Sequence, residues 1–170
     1  MIRKITLKGA VIMFREMVKK NKQISDAACI ALLKQVPRGV LSLSGDDSYP
    51  YGVPTNFWYN DADGCLYFHG GKTGHKVDAM KRSPKASLCV LSEGIREEGD
   101  WALSFESVIV FGNLEILEND ASAMETIRQL SLQFTKDQAF IDGEIAAYVH
   151  ETLFFRLIPQ HITGKRIREA

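Results

Sequence analysis

Along the first part of the chain the apolar positions change from helical spacing to the shorter period of extended backbone. Residues 1–24 are basic and amphipathic, with Met13, Phe14 and Met17 as anchors for an arm or short helix packed on the body. Ser25-Asp26 offers an N-cap before Ala27, Ile30, Ala31 and Leu33, predicting a helix that closes at Gln35-Val36-Pro37. From Gly39 the period changes. Val40, Leu41 and Leu43 lie among small residues, and Gly45-Asp46-Asp47-Ser48 is turn chemistry. Tyr49 to Tyr59 is extended but carries Pro50, Gly52 and Pro54, so it is expected to be irregular or at a sheet edge near those points. Asn60-Asp61-Ala62-Asp63-Gly64 turns it back into a strand from Cys65 to His69, so two successive hairpins make a meander.

The second half repeats the alternation of periods. His75 to Arg82 reads as a short helix stopped by Ser83-Pro84, and Lys85 to Glu93 as a strand centred on Ala86, Leu88, Val90 and Leu91. A charged loop follows, Glu93 to Asp100. Ala102 to Leu117 is long for one strand, and Gly112 near its middle predicts a bulge or bend. Asn119-Asp120 caps a helix from Ala121 to about Phe134, a second helical piece spans Asp137 to Val149, and Thr152 to Ile158 is a last strand. Gln160 to Ala170 reads as a polar tail. This order fits a small barrel or curled sheet with helices outside, and not a doubly wound parallel sheet.

Composition narrows the class. The 170 residues fit one domain, residues 1–170, with a core of its own. Acidic and basic residues balance at 21 each with no long basic run, which argues against sequence-independent nucleic-acid binding. Cys29, Cys65 and Cys89 are odd in number, far apart and in apolar surroundings, so a reducing cytoplasm is the expected setting. Lys8, Arg15 and Glu16 interrupt the apolar pieces of the N-terminus, and no signal peptide or membrane span can be built from it.

The chemistry concentrates in Leu66-Tyr-Phe-His-Gly-Gly-Lys-Thr-Gly-His-Lys76. A strand breaks into a glycine-rich loop and ends on basic residues where a helix starts. Free N–H groups at that helix end, with Lys72, His75 and Lys76, suit an anion such as a phosphate. A tight turn with a solvated basic rim accounts for the same residues. Gly71-Lys72-Thr73 is not a nucleotide-binding phosphate loop, because the glycine that motif requires five positions earlier is Leu66. Gly70-Gly71-x-x-Gly74 also lacks the dinucleotide-binding spacing. His69, His75, His150 and His161 include no pair at metal-binding helical spacing, so no metal site is expected. Neither a G-x-S-x-G nor an obvious Cys–His pair is present. Pro54-Thr55-Asn56-Phe57-Trp58, expected to pair with Cys65–His69, is either a wall for a flat heteroaromatic ring or a plain solvated edge.

Three runs carry a family resemblance: Arg38-Gly39-Val40-Leu41, Tyr49-Pro50-Tyr51-Gly52-Val53-Pro54, and Leu66-Tyr67-Phe68-His69-Gly70 through Gly74-His75-Lys76 to Asp78-Ala79. Together they resemble the pyridoxamine 5′-phosphate oxidase-like FMN-binding split barrels, and most of all the branch containing the 5-nitroimidazole resistance (Nim) proteins. Met13-Phe14-Arg15-Glu16-Met17 and Ile162-Thr163-Gly164-Lys165 are similar to that branch as well. The resemblance implies a mainly β fold with flanking helices, a six-stranded antiparallel split β-barrel. It also implies a homodimer holding an FMN in each of two clefts between subunits. By position, His75 and Lys76 match the pair that holds the FMN phosphate, and Lys72, Thr73 and Gly74 its loop. Phe68, His69 and Gly70 match the strand end beside the flavin. Pro54, Thr55, Asn56 and Phe57 match the strand whose backbone faces the ring, and Ser107 matches a polar position near the flavin. His69 is the candidate for proton delivery or substrate contact, with a packed strand-end histidine as the other reading.

The implied activity is FMN-dependent reduction of a small molecule, a nitroaromatic compound by resemblance. Pyridoxamine 5′-phosphate oxidation is the alternative, although the extra arginines of those oxidases have no counterpart here, and Phe155-Arg156-Leu157-Ile158-Pro159 matches their terminal motif only superficially. A flavin- or heme-binding module without turnover is another alternative, as is FAD in place of FMN.

Overall fold

The computed structural model describes residues 14–118 and 121–169. Met13 and the Asn119-Asp120 cap therefore lie outside the described residues. Phe14 stacks on His161 at 4.9 Å between ring centroids and lies 5.5 Å from Phe111. A single 3-10 turn, Lys20–Lys22, leads into helix α1, Asp26–Gln35, whose N-cap Ser25 accepts from the Ala28 N–H at 3.2 Å.

Six long strands and two of two residues each make one antiparallel sheet. They are β1 (Arg38–Ser44), β2 (Pro50–Asn56), β3 (Trp58–Tyr59), β4 (Leu66–Gly71), β5 (Lys85–Leu91), β6 (Ile95–Arg96), β7 (Leu103–Leu117) and β8 (Thr152–Arg168). The lateral order is β2-β1-β5-β7-β8-β4-β3, with β6 on β7. The edge strands β2 and β3 are consecutive in the chain, separated by Phe57 alone. The sheet therefore curls until its edges meet without pairing, which is the split of a split barrel. Phe57 is fully buried at that seam, 6.2 Å from the Phe68 ring, and its N–H donates to the Pro37 carbonyl at 3.0 Å.

Inward positions alternate as a half-buried sheet requires. Ala86, Leu88 and Val90 of β5 face Val108 and Val110 of β7, and Leu41, Phe68, Phe155 and Leu157 complete the core. Helix α2, His75–Arg82, buries Val77, Ala79 and Met80. Helices α3 (Ala121–Ser131) and α4 (Gln138–Tyr148) form a hairpin that packs on the end of β4 and the start of β8.

Three sequence expectations change. The two hairpins do not make a meander: Pro54–Asn56 pairs with β1, and only Trp58–Tyr59 pairs with β4, because the chain breaks step at Phe57. The polar tail is strand. β8 continues to Arg168, and its charged residues look outward onto acidic neighbours, Arg166 to Glu106 at 2.6 Å and Arg168 to Asp100. The charged loop contains β6. The irregularity at Gly112 is present. Register slips there because β8 carries the extra residue Gln160, and a Cβ on Gly112 would collide with the Ile158 carbonyl. No described helix is long and apolar enough to cross a membrane.

Candidate functional site

β4 delivers the site. Leu66, Tyr67 and Phe68 are buried, with Phe68 stacked on Phe155 at 5.1 Å, so Phe68 offers a ligand only its backbone. The strand then leaves the core: His69 and Gly70 are half-buried, while Lys72, Thr73 and Gly74 are exposed. Gly74 is the N-cap of α2 with φ +111°, a conformation that side chains resist. The Val77 and Asp78 N–H groups return to the Gly74 carbonyl, leaving those of His75 and Lys76 without an intrahelical acceptor.

Lys76 folds back over the strand end. Its ammonium lies 5.3 Å from the Phe155 ring centroid and would be 2.5 Å from a Cβ on Gly70, so the bare glycine makes room for it. Lys76 is half-buried, and burial pushes its ammonium below the ordinary lysine value. Among the described residues no carboxylate pairs with it. A desolvated cation without a counter-ion is costly, and an anion bound at this helix end would remove the cost.

His69 is its neighbour. Its Nδ1 is buried and has no hydrogen-bond partner. Burial lowers the imidazole below its ordinary value, and the Lys76 charge lowers it further, both favouring the uncharged ring. The ring borders a cavity of about 400 Å³ between the strand ends and the α3–α4 hairpin, shared with Asn56, Phe134, Glu144, Tyr148 and Phe154.

His75 points elsewhere. It stacks on Tyr51 at 4.0 Å between centroids and reaches Asp46 at 3.5 Å, while Arg82 holds the same carboxylate at 2.7 Å. The β2 residues divide similarly. Pro54 is exposed, the Thr55 hydroxyl donates to the Asn56 carbonyl at 3.2 Å, and Asn56 Oδ1 accepts from Arg38 Nε at 3.0 Å. Phe57 has its N–H on Pro37 and its carbonyl on the Gln133 amide, 3.0 Å away, so both of its backbone groups are taken inside the chain. Ser107 sits at the far end of β7 from Leu117, whose partner Phe154 pairs with His69. The chain thus brings Asn56, His69, Gly70 and Lys76 to one region, and not Ser107.

Sequence reasoning missed the α3–α4 wall. Phe134, Glu144 and Tyr148 are distant from the glycine loop in the chain and follow no local motif. Only the packing of the hairpin shows that they face His69.

Residues 25–166 match the family model described as pyridoxamine 5′-phosphate oxidase. Among curated protein sequences none matches the chain. Solved structures share its fold. A candidate 5-nitroimidazole antibiotic resistance protein from Bacteroides thetaiotaomicron VPI-5482 superposes with TM-score 0.71 at 20% identity, over 86% of this chain and 87% of that one. An FAD-binding protein from Mesorhizobium loti gives TM-score 0.61 at 23% identity over 88% and 97%. An FAD and heme binding protein from Mycobacterium smegmatis gives 0.67 at 20% over 85% and 72%.

Proposed function

Because the chain belongs to the pyridoxamine 5′-phosphate oxidase family, we propose that it is a flavin-dependent oxidoreductase, working as a homodimer with FMN on a small molecule. The observation that carries this reading is the half-buried Lys76 ammonium, without a carboxylate, at the open N-terminus of α2. Lys76, the first-turn N–H groups of α2 and the Lys72–Gly74 loop would hold the phosphate, with His75 at its outer side. Backbone at Thr55, Asn56 and Gly70 would flank the ring. The flavin, when bound, supplies the redox chemistry. The chain binds it, orients it and keeps the His69 imidazole beside it as the group that takes or gives a proton.

A second copy supports the same site. Val40, Cys89 and Ile109 are lateral neighbours on the outer face of the sheet, with Leu91 and Phe111 beside them, and all five are exposed. Ser107 shares that face by the two-residue period of β7. An apolar sheet face of this kind suits a partner subunit, which would bring its own Ser107 to the flavin. Ile109→Lys should convert the dimer to a monomer in sedimentation and lose the flavin with it.

The proposed substrate is a nitroaromatic compound, a reading supported by the likeness to a candidate 5-nitroimidazole resistance protein. The purified protein should show flavin absorption that bleaches with reductant and recovers on adding a nitroimidazole, and not on adding pyridoxamine 5′-phosphate. A protein that takes up no flavin would overturn the proposal, and a Soret band would identify a heme carrier instead.

A further inference from the structure

The cleft under α3 and α4 has no role in holding a phosphate. It is partly open to solvent and measures about 400 Å³, within the range of small-molecule sites. Its floor is Phe154 and His69, the latter with its buried, unpartnered Nδ1. Its walls come from the hairpin, and the large side chains left exposed on that hairpin, Phe134, Phe140 and Tyr148, all line it.

The charges around it are selective. Glu144 is the one ionic side chain among the described lining residues, and neither lysine nor arginine is among them. Arg38 lies over the Phe134 ring, 5.9 Å from its centroid, with its Nε already committed to Asn56. Lys76 stands on the other side of His69, beside Gly70 and Phe155. A phosphate or carboxylate entering here would meet aromatic faces and an acid, at the cost of an anion desolvated without a partner.

We propose that the α3–α4 hairpin forms the substrate pocket, and that it takes a flat, uncharged ring compound held among its aromatic side chains over the accessible side of the His69 ring. A phosphorylated substrate is refused. This deepens the oxidoreductase reading and rests on it for the word substrate, but binding to the pocket stands independently of the flavin. The two can therefore fail separately.

The test is titration of the protein, as purified and again with saturating FMN, with benzimidazole, benzimidazole-5-carboxylate and pyridoxamine 5′-phosphate. Benzimidazole should bind saturably in both states and move the His69 ring resonances. The two anions should bind at least about tenfold more weakly, the penalty of an unpaired buried charge. Ile145→Trp, which fills the pocket from α4, should weaken benzimidazole at least about tenfold, whereas Ala146→Trp on the exposed side should not, with circular dichroism showing both variants folded. Loss of benzimidazole binding when FMN is added would mean the cavity is the flavin's own seat and would overturn the proposal. So would equal affinity for the anions, or no saturable binding at all.

Discussion

Two cations flank neighbouring positions of β8, and they are treated in opposite ways. Arg156 Nε and Nη2 each meet Glu115 at 2.7 Å, and Nη1 donates to the Tyr67 hydroxyl at 3.4 Å. That hydroxyl donates in turn to Asp63 at 2.5 Å. Hydrogen bonds to Tyr67 and Glu115 hold the guanidinium well above its ordinary value. Lys76 lies over Phe155, the next residue along, with no carboxylate and with its ammonium pushed down by burial. A cation with every partner in the chain belongs to the fold. A cation left without a carboxylate at a helix end is poised for a ligand, and its neighbour His69, whose Nδ1 is also without a partner, belongs to the same region.

Removing Arg156 should damage the fold most. Arg156→Met should cost about 1–3 kcal/mol in urea denaturation, the range for hydrogen bonds to charged groups in a partly exposed network, while leaving flavin affinity intact. Tyr67→Phe should cost less, about 0.5–1.5 kcal/mol, since it leaves the Arg156–Glu115 pair in place. Lys76→Met should not destabilise the flavin-free protein, because it removes a charge that folding desolvates without compensation. A clear loss of stability in this variant would mean that Lys76 is structural and that the contrast is false.

The smallest effect is electrostatic. His69 is held below its unfolded value, so the folded protein binds fewer protons than the unfolded chain as pH falls through about 6.5. Stability from this group is therefore full above that pH and declines below it. Lys76→Met removes part of the cause, so the His69 titration followed by NMR should move upward and the acid loss should shrink. An unmoved titration would show that the two groups do not sense each other.

Where periodicity was strong, the fold was legible. Ser25 as N-cap, the β5 alternation and the irregularity at Gly112 follow from local chemistry. The lateral order did not, because β5 returning to β1 is a long-range pairing, and the seam at Phe57 reverses which strand Pro54–Asn56 joins. The end of β8 was hidden because its outward residues are charged; their partners Asp100 and Glu106 lie some sixty residues earlier. At the site, the glycine loop and Lys76 could be read from sequence. His75 turning to Tyr51 and Asp46, the enclosure of the Phe57 backbone by Gln133, and the α3–α4 wall all depend on packing that no local pattern encodes.

The assignment of Lys76 to the flavin phosphate is tested most directly by comparing FMN with riboflavin, which differ only in that group. Fluorescence titration of the wild-type protein should show FMN bound more tightly than riboflavin by about 10- to 100-fold, the worth of charge-assisted contacts. In Lys76→Met most of that preference should vanish while riboflavin affinity stays unchanged. A preference for FMN that survives the substitution in full would place the phosphate elsewhere and contradict the account.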